Sequence, residues 1–217
     1  MPASLTVDEL VIADSPDAWR GAGFHVEGDL CVVGAVRLRL AGPGPVRGIV
    51  GWSVRGLATS DLDGLPASAS EDPPPAPGDV HPNGVAAIDH VVVLTPDIGR
   101  TTAVLSEAGF DLRREREGPT PGGSTRQSFF RMGEVILEVV EAPAATRIAE
   151  DPSGPARLWG ISFLVDDLER TAVALGGLLG EAREAVQPGR HIATLRNEAG
   201  LGPAVAFMTP GPGAITV

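Results

Sequence analysis

The sequence contains no lysine and no tyrosine, and all 17 of its basic residues are arginines. Schiff-base chemistry and a Walker-type phosphate loop both require a lysine amine, so the composition excludes both. The absence of tyrosine excludes mechanisms in which a phenol acts as the acid or base. Cys31 is the single cysteine, and the chain can therefore form neither an internal disulfide bond nor a thiolate zinc cluster.

Positive charge is also scarce. The 217 residues carry a formal net charge of −11, which argues against a nucleic-acid-binding surface because such a surface needs a basic face. No apolar run approaches the roughly 20 residues of a membrane-spanning helix. The opening residues, MPASLTVDEL, lack the basic and apolar regions of a signal peptide. We therefore expect a soluble, cytoplasmic protein whose 43% hydrophobic residues suffice for a core.

One segment has neither helical nor strand periodicity. Residues 66–84 are dominated by proline, small polar residues and acids, a composition that predicts an extended linker. His81 precedes a proline in this segment, and we expect its side chain to be solvated. The linker separates residues 1–65 from residues 85–212.

Two copies of one pattern follow the linker. The order strand, helix and three strands begins at residue 85 and recurs at residue 155, which predicts two βαβββ modules, 85–145 and 155–212. Thr95 is the predicted N-cap of the first helix. Residues 1–65 predict a degenerate N-terminal module of the same kind. Within them, GIVGWSVRGL is similar to the first strand of a fourth, incomplete module.

This repeat resembles the vicinal oxygen chelate superfamily, through IDHVVV and VILEVVEAP at the two ends of one copy and VDDLE in the other. Members include glyoxalase I, extradiol dioxygenases, methylmalonyl-CoA epimerase and bleomycin-resistance proteins. The resemblance implies an α+β fold in which tandem βαβββ modules pair into a half-open barrel around a cavity, with an additional eroded N-terminal module. It leaves the function open, because this fold hosts metal enzymes and metal-free binding proteins alike.

The resemblance also points to specific residues. Metal-dependent members place a His or Gln on the first strand of each module and a Glu on the last strand. In the first copy this pattern falls on His90 and Glu138. Strand alternation supports the pairing independently, because both side chains can lie in a cavity wall without disturbing the face packed on the helix.

The second copy departs from the pattern at both positions. Gly160 aligns with His90 and Ala206 aligns with Glu138, and neither replacement has a side chain that can bind a metal. Three protein ligands are the usual minimum for a catalytic zinc, so the two remaining ligands form only a half-site. The eroded module offers Glu9 and Arg39 at the corresponding positions, and an arginine there would repel a cation.

Three further polar residues are candidate ligand contacts: Arg126, Gln127 and His191. His191 or Gln127, which occupy equivalent strands, could also point into the cavity, and Glu141 or a residue of a partner chain could also contribute to a metal site. Each candidate has a structural alternative. His90 and Glu138 can form a buried hydrogen-bonded pair, Arg126 and Gln127 can reflect ordinary surface alternation, and His191 can be a half-exposed strand residue. The charged run RREREG predicts a solvated edge strand.

Two functions fit these residues, and no catalytic residue is assigned. We favour a protein that binds a small metabolite or antibiotic in the cavity through His90, Glu138, Gln127 and Arg126, in analogy with bleomycin-resistance proteins. The alternative is a lyase, isomerase or dioxygenase that acts on vicinal oxygens with Fe, Mn, Ni or Zn as a Lewis acid, with Glu138 or Glu141 moving the proton. We expect a small-molecule ligand and no nucleic-acid or membrane partner, and the resemblance allows a homodimer.

Overall fold

A computed structural model of the chain describes residues 4–120 and 123–211. Residues 1–3, 121–122 and 212, which belong to the predicted modules, lie outside the described residues. The helices are α1 (Pro16–Gly21), α2 (Ile98–Glu107), α3 (Leu168–Ala174) and a short 3-10 helix (Asn197–Ala199). The strands, in chain order, are β1 (Thr6–Ile12), β2 (Leu30–Val33), β3 (Val36–Leu40), β4 (Ile49–Arg55), β5 (Ala67–Ser70), β6 (Val85–Thr95), β7 (Asp111–Thr120), β8 (Gly123–Met132), β9 (Val135–Glu141), β10 (Arg157–Val165), β11 (Arg183–Glu184), β12 (His191–Thr194) and β13 (Ala204–Met208).

The chain divides into two compact units. The first unit is built around His90–Trp159, and the second around Glu9–Val50 and Gly160–Val217. The shorter segments Met1–Asp8 and Gly51–Pro73 belong to the first unit, and Pro74–Asp89 belongs to the second. Strands of the first unit lie in the order β6-β9-β8-β7, and strands of the second lie in the order β10-β13-β12-β11 and β1-β3-β2.

The predicted internal repeat is visible in the strand register. In each of three modules the first strand lies parallel to the last, with Glu9 opposite Arg37, His90 opposite Ile136 and Gly160 opposite Ala204. The α+β fold and the βαβββ-type modules predicted from the sequence are therefore confirmed. The N-terminal module is shorter than the others, because the segment FHVEGD between α1 and β2 contributes only an isolated bridge at Glu27.

The incomplete fourth module has more structure than its sequence indicates. Its first strand, β4, pairs in parallel with β5, so that Trp52 lies opposite Ala67 and Arg55 lies opposite Ser70. This is the parallel arrangement that the other modules make between their first and last strands. Strand β5 lies inside the segment 66–84, and the rest of that segment contains no helix or strand.

In the first unit, helix α2 packs on one face of the sheet. Asp97 is the N-cap, since its carboxylate accepts a hydrogen bond from the backbone N–H of Arg100 at 3.0 Å. The prediction of Thr95 as the cap is wrong by two residues, because its hydroxyl instead accepts from the N–H of Asp97. Leu105 of the helix and Phe130 of β8 are both fully buried, and this apolar layer occupies one side of the sheet.

In the second unit, aromatic rings form the core: Trp19 contacts Phe24, which contacts Phe163, which in turn contacts Phe207. Trp159, the last residue of the first unit, is 49% exposed. Of the helices in the described ranges, none combines the length and apolar character that crossing a bilayer requires.

His81, expected to be solvated, is instead buried, with 4% of its surface exposed. Its Nδ1 accepts the backbone N–H of His25 at 3.0 Å, so its Nε2 is the donor to the carbonyl of Val32, also at 3.0 Å. Burial lowers the pKa of His81, because the interior disfavours a charged imidazolium. Part of the proline-rich segment is therefore fixed to the second unit by an uncharged histidine.

Candidate functional site

The two residues of the predicted half-site lie on neighbouring strands. Strands β6 and β9 are parallel partners, with Val92 opposite Glu138 and His90 two residues before Val92. The Nε2 atom of His90 lies 3.4 Å from Oε2 of Glu138. Both side chains are partly accessible, with 17% and 15% of their surfaces exposed. The imidazole and the carboxylate can therefore contact each other and a common small molecule.

Two more side chains extend this pair across the sheet. Gln127 of β8 donates its amide N–H to Oε1 of Glu138 at 2.5 Å. Arg116 of β7 donates its Nε–H to the amide oxygen of Gln127 at 2.6 Å. His90, Glu138, Gln127 and Arg116 thus lie on four adjacent strands, and we call these four residues the polar row. Because each contact engages a different atom, the row fixes the orientation of both the Gln127 amide and the Glu138 carboxylate.

The polar row lies on the sheet face opposite helix α2. Side chains alternate between faces along a strand, and His90 is half-buried whereas its neighbour Val91 is fully buried. The same alternation separates Phe129, which is half-buried, from the fully buried Phe130. The Arg116 guanidinium lies over the Phe129 ring, 5.5 Å from its centroid, an arrangement that stabilises the cation through the ring face.

Arg126 does not join the polar row. It is adjacent to Gln127 on β8 and therefore projects to the other face of the sheet, where its Nη2 lies 2.5 Å from Oε1 of Glu141. The hydrogen bond from Arg126 lowers the pKa of Glu141, because it favours the ionised carboxylate. Glu141, one of the two carboxylates considered for moving the proton, is thus engaged by an arginine.

His191, the remaining candidate, belongs to the second unit. It begins strand β12 and is exposed. Its backbone N–H donates to the hydroxyl of Thr209 at 2.9 Å, and this contact fixes the strand but leaves the role of the imidazole unassigned.

Sequence reasoning missed Arg116, which it treated as part of a solvated edge strand. Strand β7 is indeed at the edge of its sheet and most of its residues are exposed. Arg116 is half-buried because the β7–β8 pairing places it directly opposite Gln127. The sequence does indicate a hairpin, because the turn GPTPGGS joins the two strands. It does not determine which residues lie opposite each other, because the register depends on how many residues form the turn.

The equivalent positions of the last module, on strands β10 and β13, contain no polar side chain. Strand β10 pairs with β13 so that Ser162 lies opposite Ala206, the same register that places Val92 opposite Glu138. Gly160 therefore corresponds to His90 in three dimensions as well as in the alignment. A Cβ atom at Gly160 would lie 2.7 Å from the carbonyl oxygen of Ala204, closer than van der Waals contact allows.

The N-terminal module places an ion pair at the same positions. Nε of Arg39 lies 3.0 Å from Oε2 of Glu9, and Arg39 also contacts Asp29 at 3.2 Å. Across three modules, the same pair of backbone positions thus contains an acid with an arginine, a histidine with an acid, and two residues without polar side chains.

The polar row does not provide a complete metal site. Within residues 4–120 and 123–211, no third His, Cys, Asp or Glu side chain joins His90 and Glu138 in a group of metal-ligand geometry. Both carboxylate oxygens of Glu138 already have protein contacts. Two donors fall short of the three protein ligands that catalytic zinc sites use, so the pair alone is an incomplete metal site and we derive no metal-dependent step.

Comparison with known proteins supports the fold. No protein-family model matches the sequence, and neither does any curated protein. Among solved structures, the chain is similar to a variant of 4-hydroxymandelate synthase from Streptomyces coelicolor, with a TM-score of 0.65, 12% identity, and coverage of 98% of this chain and 95% of that one. The chain has the fold of the vicinal oxygen chelate superfamily, and at this identity the likeness concerns the fold alone.

Two epimerase structures are similar to a smaller part of the chain. Methylmalonyl-CoA epimerase from Mycobacterium tuberculosis is 16% identical with a TM-score of 0.49, and the match covers 59% of this chain and 91% of that one. The Streptomyces coelicolor epimerase in complex with 2-nitronate-propionyl-CoA is 17% identical with a TM-score of 0.49, and the match covers 61% and 99%.

Proposed function

We propose that the chain binds a small molecule through the polar row of its first unit, without a complete metal site. The observation that carries this proposal is the 3.4 Å approach of His90 to Glu138 on a half-buried sheet face. The other carboxylate oxygen is oriented by Gln127. A partly accessible network whose members already hold one another in position can accept a ligand without paying a large reorganisation cost.

The chemistry of the face favours a small, partly apolar molecule such as a metabolite or antibiotic. An imidazole, a carboxylate and an amide can together recognise a hydroxyl or amide group. The charges of Arg116 and Glu138 are opposite, so the row favours a neutral polar ligand over a highly charged one. Val92, Ile136 and Phe129 are half-buried on the same face and supply the apolar contacts that small-molecule sites normally contain.

A ligand screen with matched variants tests this proposal. Small polar metabolites and antibiotics are ranked by the thermal shift they give, and affinities of the positives are measured by calorimetry. Glu138→Gln should weaken binding by about tenfold or more, equivalent to about 1.4 kcal/mol, because it removes the charge that faces His90. Glu134→Gln, an exposed acid in the turn between β8 and β9, serves as the control and should leave affinity within about twofold. Equal affinities in the two variants would refute a role for the row.

The second candidate function is a divalent-metal-dependent lyase, isomerase or dioxygenase acting on vicinal oxygens. The observation in its favour is again the His90 and Glu138 pair, which retains half of the expected ligands. It predicts iron, manganese, nickel or zinc in protein purified without chelators, and loss of that metal and of turnover in His90→Ala. The binding proposal predicts instead that elemental analysis gives the same metal content for wild type and His90→Ala.

A further inference from the structure

A second group of ligand-type side chains lies in the second unit, outside the polar row. His25 and Glu27 follow helix α1, and Asp79 belongs to the proline-rich segment; we call these three residues the His25 group. Nε2 of His25 lies 3.3 Å from Oδ2 of Asp79 and 3.8 Å from Oε1 of Glu27. All three ligand atoms lie within 4.8 Å of one another.

The backbone around the His25 group is fixed by buried contacts. His81 accepts the backbone N–H of His25 and donates to the carbonyl of Val32. On the other side of Asp79, Gly78 lies so close to β2 that a Cβ atom there would be 2.9 Å from the same carbonyl oxygen. Asp79 is therefore positioned by a tight contact before it and a buried histidine shortly after it. This combination differs from an incidental cluster of surface acids.

The imidazole nitrogen points into the group. Although 40% of the His25 side chain is exposed, its Nε2 atom is itself buried and makes no hydrogen bond with any of the residues that the structure describes. A buried polar atom without a hydrogen bond is uncommon and calls for a partner. The nearest groups are the two carboxylates, which can share a cation with the imidazole.

We propose that the His25 group binds one divalent first-row transition metal ion, with zinc as the representative. Imidazole and carboxylate together suit zinc and its neighbours better than calcium or magnesium, which prefer oxygen ligands alone. Ligands about 2.1 Å from a tetrahedral zinc ion are separated by roughly 3.4 Å, close to the spacing of His25 and Asp79. The ion joins Asp79 of the proline-rich segment to the chain after α1, and three protein ligands leave a fourth position for water or a ligand.

Calorimetric titration of untagged, chelator-treated, full-length protein with zinc chloride tests this site. The wild type should bind one equivalent of zinc, and His25→Ala and Asp79→Asn should each weaken binding by about tenfold or more. His25→Ala keeps the backbone N–H that His81 accepts, so the fold should survive, and circular dichroism checks this. Glu181→Gln removes an exposed carboxylate from the same unit and should change the affinity by less than about twofold.

Two results would overturn the proposal. One is the absence of saturable zinc binding by the wild type. The other is binding that persists in His25→Ala and disappears in His90→Ala, which would place the metal at the polar row and support the second candidate function. Zinc binding at the His25 group is independent of the proposed small-molecule binding, so the two proposals can fail separately.

Discussion

The strand pair β6/β9 of the first unit and the strand pair β10/β13 of the second unit are built alike and differ in chemistry. Both are parallel, both have the same register, and both belong to a module of the same order. In the first pair, His90 and Glu138 come within 3.4 Å. In the second pair, the corresponding residues are Gly160 and Ala206, and the backbone around Gly160 leaves no space for a side chain.

The comparison shows that the module determines where the two side chains lie, whereas the residue types determine what those side chains can bind. The third parallel pair, β1/β3, places Glu9 and Arg39 at the same positions, where they form an ion pair. A fold-level similarity therefore cannot assign a metal site to this chain. The repeat predicts where a site can lie, and each module must be considered separately to decide whether one does.

The largest effect is expected from adding a methyl group at Gly160, in the strand pair β10/β13. Gly160→Ala should lower the free energy of unfolding by about 3 kcal/mol, the upper end of the usual cost of overpacking, because its Cβ would meet the Ala204 backbone carbonyl at 2.7 Å. Gly21→Ala is the control, since a Cβ at that helical position has no neighbour within 4 Å and alanine favours a helix. Urea unfolding measures the stability of both variants. Equal stabilities would mean that the strand pair β10/β13 has space for a side chain at residue 160.

An intermediate effect is expected from coupling within the polar row of the first unit. A double-mutant cycle of Gln127→Ala and Glu138→Ala should give a coupling energy of about 1–3 kcal/mol, because a mostly buried amide donates to a carboxylate. The same cycle for Glu9 and Arg39 should give less than about 1 kcal/mol, since 40% of the Arg39 side chain is exposed. Only the second coupling should fall markedly with added salt. Equal coupling energies would contradict the distinction between the mostly buried Gln127–Glu138 contact and the exposed Glu9–Arg39 ion pair.

The smallest effect is expected from the Arg126–Glu141 ion pair, which lies on the sheet face opposite the polar row. Arg126→Ala should raise the pKa of Glu141 towards its ordinary value of 4.5, because the hydrogen bond from Arg126 is the main cause of its lowered pKa. A lowered folded-state pKa contributes stability above the unfolded pKa and loses it as pH falls through the folded one, so the variant should lose less stability on acidification. An NMR titration of the Glu141 side chain measures the change, and an unaltered pKa would show that the ion pair is absent in solution.

Much of the fold was predictable because it follows from local patterns. The alternation of apolar residues in IDHVVV and VILEVVEAP predicts buried strands, and the recurrence of the same element order predicts the modules. The alignment of Gly160 with His90 was also correct, as the shared register shows. These inferences depend only on order and spacing along the chain.

Features that depend on distant contacts were not predictable. His81 lies within the proline-rich segment, and its burial arises from contacts with His25 and Val32, more than 45 residues away in the sequence. Arg116 joins the polar row because of a hairpin register that composition does not determine. The His25 group was missed for the same reason, since Asp79 has no sequence motif that connects it to residues 25–27.

A crystal structure of protein purified without chelators and soaked with a ligand from the screen tests the central claim most directly. We predict density for the organic molecule in contact with His90 and Glu138, and no anomalous scattering peak at that position. An anomalous peak about 2 Å from both His90 Nε2 and a Glu138 oxygen would contradict it. Ligand density remote from the polar row would contradict it equally.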